Sequence, residues 1–224
     1  MNVKELRWLF IAAVIALFII GSVGEPTTLG ISAGWTNNRY TFAGGTAPWA
    51  LAFALVMIGL YLLLMYSSHD ALGLPLPGIV RRFVAFWLDF IFAIMTVGPI
   101  LGILPMLTEW RRPRVFQWSF ERTTESPGDG IIATIGVLLI FIALVFYFAL
   151  PLARRRPSPG ACILGYQIVP DEGTTFKFRA ALLRTLLGFI AACCWWLAPF
   201  LSRDRKKGKF WLDMVFETRA VRLG

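Results

Sequence analysis

The chain has 224 residues, 57% of them hydrophobic and 16% charged, with 22 Lys and Arg against 13 Asp and Glu for a formal charge of +9. Soluble domains carry about 25% charged residues, so this low share, gathered into blocks between long apolar runs, excludes an ordinary soluble domain. It points to an integral membrane protein with several spans. Nucleic-acid binding is not expected, because the basic residues flank apolar runs and do not interleave with exposed aromatics; lipid headgroups and topology account for them. One histidine and three cysteines leave little material for a histidine-based metal site, a catalytic triad or a disulfide framework. No phosphate-binding or nucleophile motif occurs, so no enzyme activity, metal or cofactor is expected.

Residues 1–24 hold 17 uncharged positions between Arg7 and Glu25, just enough for a span. The basic start and the Ser22-Val23-Gly24 end also resemble a signal peptide; a retained anchor is the expectation, with Lys4 and Arg7 holding this end on the cytoplasmic side. In residues 25–47, ISAGWTNNRYTF alternates around Thr36-Asn37-Asn38, which reads as a small external hairpin or a plain loop. A second span is expected from about Trp49 to Tyr66, with Pro48 as first-turn proline. His69 and Asp70 follow in a polar turn, where His69 reads as a solvated loop residue.

A third span starts at Arg81-Arg82 and extends to about Leu107, and Gly98, Pro99, Gly102 and Pro105 predict a kink or unwinding in its outer part. Within it Asp89 interrupts the apolar run VRRFVAFWLDFIFAIM, at an insertion cost of roughly +2.5 to +3.5 kcal/mol before any partner offsets it. In a helix Asp89 lies two turns from Arg82, on the same face and about 10.5 Å along the axis. A near-neutral loop, 108–130, precedes a fourth span from Ile131 to about Leu152. Arg154-Arg155-Arg156 then mark the cytoplasmic side. The stretch SPGACILGYQIVPDEGTTFKF is expected to form a turn and a short cytoplasmic β-hairpin, with ILGYQIV and TTFKF as its strands.

The last apolar segment, 180–201, carries Arg184, encloses Cys193-Cys194 and is broken by Pro199. If it spans, nine Lys and Arg lie inside and twelve outside, leaving Arg184 uncounted. If it turns back, the split is sixteen and five. The positive-inside rule favours a re-entrant or interfacial segment. The fold expected is thus an all-α polytopic membrane protein with four transmembrane helices, this C-terminal segment and the cytoplasmic hairpin. Residues 1–77 form an N-terminal transmembrane hairpin and 78–224 a second membrane domain.

Three pieces in order, RRFVAFWLDF, SPGACILGYQIV and RDRKKGKFWLDMVFETRAV, resemble the RDD family of bacterial membrane proteins over residues 78–224. The family's named arginine and two aspartates fall on Arg82 (Arg81 competes), Asp89 and Asp213, with support from Ser158-Pro159-Gly160, Gly165, Val169, Thr218 and Val221. Ala161 stands where the family often has Lys, and Leu212 where it commonly has His, so a histidine relay is not expected. The resemblance implies a location in the bacterial cytoplasmic (inner) membrane and, for some members, sodium/proton antiport.

Two functional expectations follow. Asp89 carries a proton or small cation, with Arg82 and Asp213 in one charge cluster supported by Arg81, Arg184 and Thr218; a four-span carrier would then be a homo-oligomer. Alternatively the protein is a non-catalytic accessory or scaffold whose Arg/Asp/Asp set is structural, with partners among membrane proteins and anionic headgroups at the cytoplasmic face. In that case Asp213 anchors the tail to Arg82, and Asp89 is satisfied by a neighbouring helix, by Arg184 or by protonation.

Overall fold

A computed structural model describes residues 3–23, 30–36, 39–67, 71–72, 79–110, 118–124, 127–170, 177–193 and 211–223. Their order is α1 (Val3–Val23), β1 (Gly30–Thr36), β2 (Arg39–Gly45), α2 (Pro48–Tyr66), β3 (Ala71–Leu72), α3 (Ile79–Trp110), β4 (Ser119–Thr124) and α4 (Pro127–Ala153). After these come α5 (Pro159–Ile163), β5 (Tyr166–Pro170), α6 (Phe178–Cys193), α7 (Trp211–Val215) and β6 (Thr218–Leu223). Three helices are long and apolar enough to cross a membrane, over Pro48–Tyr66, Val80–Ile103 and Thr134–Ala153. Their outer faces are apolar, with Leu55, Val56, Leu62, Trp87, Ile91, Leu138, Phe141 and Phe146 exposed, as lipid-facing residues are. Pro48 opens α2, where its missing N–H costs nothing. The unwinding expected at Gly98-Pro99 does not occur, because α3 continues as helix through Pro99 and Pro105 to Trp110. Neighbouring turns hold such a helix together where a proline removes one bond.

The chain forms two compact units. One comprises Ala13–Gly59 and Phe92–Leu144. Its sheet has the order β1-β2-β4, all antiparallel. The β1–β2 register pairs Thr36 with Arg39 and Gly30 with Gly45, as a two-residue connection at positions 37 and 38 requires. The third strand, SFERTT, carries two charges and no aliphatic alternation, and it pairs Tyr40 with Thr124.

The other unit comprises Met1–Ala12, Leu60–Ile91 and Val145–Gly224. Val3, Leu6 and Phe10 of α1 are buried in it. Phe86 of α3, Phe148 of α4 and Phe189 of α6 meet in a triangle, with ring centroids 5.7 Å, 5.2 Å and 6.3 Å apart. Tyr61 stacks on Tyr147 at 4.9 Å, and its hydroxyl donates to the Tyr147 carbonyl at 2.7 Å. A small core of Ala85, Ala161, Tyr166 and Ala220 lies under Leu164 and Ile168. Gly165 takes the left-handed conformation (φ +68) that turns α5 into β5, and its carbonyl accepts from the Leu223 N–H at 3.0 Å.

The chain is mostly helical, and each unit adds a three-stranded antiparallel sheet that the all-α expectation lacked. The strand in ILGYQIV exists as β5, but its partner is β6 in the order β3-β6-β5, with Tyr166 opposite Arg222 and Pro170 opposite Thr218. Consecutive strands pair about two-thirds of the time, which favoured TTFKF; TRAVRL is equally strand-prone and buries Thr218, Ala220 and Val221. Most of TTFKF lies outside the described residues, as do His69, Cys194 and the rest of the 180–201 segment beyond α6. Helix α6 has 16 residues, about 24 Å. The chain leaves the small sheet at Pro170 and rejoins it at Thr218, in register with the strand it left.

Exposed single cysteines at Lys177 and Arg222 are therefore expected to react with a membrane-impermeant maleimide from the same side of the membrane, in a background with Cys193 and Cys194 replaced by Ala. Native Cys162 should stay unlabelled at pH 8 in the folded protein. It is buried, and that burial pushes its thiol up to about 12 against a small opposing pull from Arg7. Labelling of the two positions from opposite sides would overturn the β5–β6 pairing.

Candidate functional site

Two buried carboxylates lie in the second of these units. Asp213 sits in the first turn of α7 and is completely buried. Arg82, near the start of α3, donates from Nη1 to its Oδ2. Arg184, midway along α6, donates from Nη2 to its Oδ1 at 2.7 Å. The Thr218 hydroxyl at the start of β6 donates to the same Oδ1 at 3.3 Å. A carboxylate has room for about four donors, and charge-assisted bonds from guanidinium are its strongest partners. The cluster joins α3, α6, α7 and β6 at one point. Burial works against the charged form of Arg184, and Asp213 works to keep it.

Asp89 is elsewhere on α3 and has different partners. The Ser158 hydroxyl donates to its Oδ2 at 2.5 Å, and the Gly160 N–H donates to its Oδ1 at 2.6 Å. Both come from the turn that opens α5. Ser158 is the N-cap of that helix: its Oγ accepts from the Ala161 N–H at 3.4 Å while its proton goes to Asp89. Pro159 occupies the first helical position. Gly160 has a steric reason to be glycine, since a Cβ there would lie 2.3 Å from the Ala85 carbonyl oxygen and 3.0 Å from Asp89 Cγ. Absence of a side chain lets α5 approach α3 closely enough for a backbone N–H to reach the acid. Among the described residues no cation bonds to Asp89.

The structure thus brings Arg82, Arg184, Asp213 and Thr218 together and gives Asp89 a separate set of neighbours. Arg81 is exposed and joins neither set. Arg82 turns to Asp213 and not along its own helix to Asp89, because Asp213 offers a contact without a two-turn reach. Ser158 and Gly160 were legible as a turn but not as the partners of Asp89. The available signal was chemical: a buried acid needs donors, and Ser-Pro-Gly is a helix start with a free hydroxyl and a bare N–H.

Such an arrangement defines a helical membrane protein, with three helices of membrane length and a small α/β cap tied to one of them, α3, through buried carboxylates. Residues 76–216 match the model of the RDD family, and the chain belongs to that family. Comparison with curated proteins and with solved structures gives no match.

Replacing Asp213 by Ala should destabilise the detergent-solubilised protein by about 3–5 kcal/mol, since it leaves two buried guanidinium groups facing each other. Asp89→Asn keeps an acceptor for one donor and should cost less than Asp89→Leu, which strands two donors at about 1–3 kcal/mol each. Gly160→Ala should lower the melting temperature more than Asp89→Asn, because the added methyl's nearest contact is the Ala85 backbone carbonyl, which cannot swing aside. Thermal unfolding monitored by intrinsic tryptophan fluorescence reads all four variants; equal melting temperatures for wild type and Asp213→Ala would refute the clasp.

Proposed function

We propose that the protein is a non-enzymatic accessory protein of the bacterial cytoplasmic membrane, in which the part played by its buried charged residues is structural. Helices α1 to α4 make four spans, with the amino terminus inside. Helix α6 enters the membrane from the cytoplasmic face. The cap made of α5, α7 and the β3-β6-β5 sheet lies at the inner surface, where basic residues meet anionic headgroups. Function resides in the platform this cap forms for a membrane-protein partner or for a second copy of the chain.

One observation carries the reading. Every oxygen of Asp89 and Asp213 accepts a bond from a protein donor, and all of these donors but Thr218 lie 29 to 131 residues away. Carboxylates so engaged hold elements together. A second reading, with Asp89 as a proton or sodium carrier, draws on its lying within the membrane-length stretch Val80–Ile103 without a bonded cation among the described residues.

Purified protein reconstituted into vesicles is expected to pass neither protons nor sodium under an imposed gradient of either ion, followed by internal pH- and sodium-sensitive dyes. Flux above protein-free vesicles that disappears in Asp89→Asn would replace the structural reading with the carrier.

A further inference from the structure

The clasp around Asp213 has more donors than it uses. Two guanidinium groups share one carboxylate, so Arg82, Arg184 and Asp213 together carry one excess positive charge in a buried place. The side chains of Arg82 and Arg184 are only 14% and 8% exposed. Three of their donor nitrogens are fully buried without a hydrogen-bond partner: Nε and Nη2 of Arg82, and Nη1 of Arg184. A buried donor left unmade costs about 1–3 kcal/mol, more when it is charged. Native structures rarely tolerate three in one cluster.

The pattern of what is left over is specific. Arg82 engages Asp213 through Nη1 alone, and its remaining edge is Nε with Nη2. That edge is the parallel two-donor fork that matches a pair of oxygens on a carboxylate or phosphate. Arg184, bonded to the other oxygen of the same carboxylate, adds the third donor. A phosphate ester has several oxygens on one centre and can serve both guanidinium groups, while its single charge cancels the excess. Arg82 lies two residues into the membrane-length stretch that begins at Val80, which is headgroup depth, with exposed Arg81 beside it.

We infer that Arg82 and Arg184 form a buried anion site for a phosphate group, seated on the Arg82 Nε–Nη2 edge and reached by Arg184 Nη1. The phosphate is that of an anionic phospholipid or free inorganic phosphate. The headgroup depth rests on the membrane placement proposed above; the donor set does not. Asp213 has a dual part: it holds both guanidinium groups in place and leaves their remaining buried donors for the ligand.

The full-length protein, exchanged into lipid-free detergent, provides the test. Its melting temperature should rise saturably with added phosphatidylglycerol and not with phosphatidylcholine, identifying a lipid phosphate. A saturable rise with inorganic phosphate and none with either lipid identifies the free anion. Arg82→Lys retains a charge beside Asp213 but lacks the fork, and should weaken the apparent affinity roughly tenfold; Arg81→Gln should leave it unchanged. Arg184→Lys is the second variant, expected to weaken binding as well. Wild-type affinity in both lysine variants, or no response of the wild type to either anion, overturns the site. If both variants fail to fold, native mass spectrometry of the wild type decides. Selective retention of phosphatidylglycerol over phosphatidylcholine, or of phosphate, supports the site, and retention without selectivity overturns it. Ion flux in the vesicle assay bears on the structural reading alone and leaves the anion site standing.

Discussion

Everything in the cap depends on keeping the Asp213 carboxylate out of water. A buried, isolated carboxylate costs several kcal/mol even after relaxation, and this one is fully enclosed. It is viable because two guanidinium groups arrive from helices that the chain makes long before it. Arg82 is 131 residues upstream and Arg184 29. The contact is therefore selective in a way apolar packing is not. A hydrophobic helix slides along lipid-facing neighbours with little loss, whereas a shift of α7 by one residue would leave three buried charges unmatched. Once α7 is fixed, β6 follows from Thr218, and β6 in turn positions β3 and β5 on either side of it.

Asp89 illustrates the other way to bury an acid. No guanidinium bonds it; a hydroxyl and a backbone amide do. Neutral donors stabilise a carboxylate less than cations do, but they impose a tighter steric demand. The amide of Gly160 reaches Asp89 only because Ala85 and Gly160 are small enough for α3 and α5 to touch through their backbones. One carboxylate thus sets a position by charge, and the other by close approach. Together they attach the cap to α3 at two heights of the same helix.

Much of this was legible from residues alone, and the failures have physical causes. Long apolar runs bounded by arginines and prolines announce membrane helices, because lipid leaves no other way to satisfy the backbone. Helices α2, α3 and α4 accordingly fall close to their expected bounds. Strand pairing was less legible. Period-two patterns mark a strand but not its partner, and the cap pairs β5 with a strand that begins 48 positions further along, beyond α6 and α7. The same limit hid β4, whose charged, threonine-rich sequence reads as loop until β2 supplies an edge. For the charged residues, the sequence marked which were anomalous and not who met whom. Arg82 and Asp89 share a helical face, yet each is taken by a partner from elsewhere. Spacing within one helix limits direct contact but says nothing of segments folding back from a distance.

The central position of β6 in its sheet has a temporal side. Both of its neighbours, β3 and β5, are made first and must wait for it. At ribosomal rates of about 5–20 residues per second, the 131 residues between Arg82 and Asp213 correspond to roughly 7–26 s of synthesis. During that interval α3 is already apolar enough to insert, with its arginine unclasped and a half-built sheet edge beside it. The cap is consequently a last-made closure, and a nascent chain interrupted before α7 exposes both an uncompensated charge and open strand edges. Those two features distinguish an unfinished molecule from a finished one at the membrane surface.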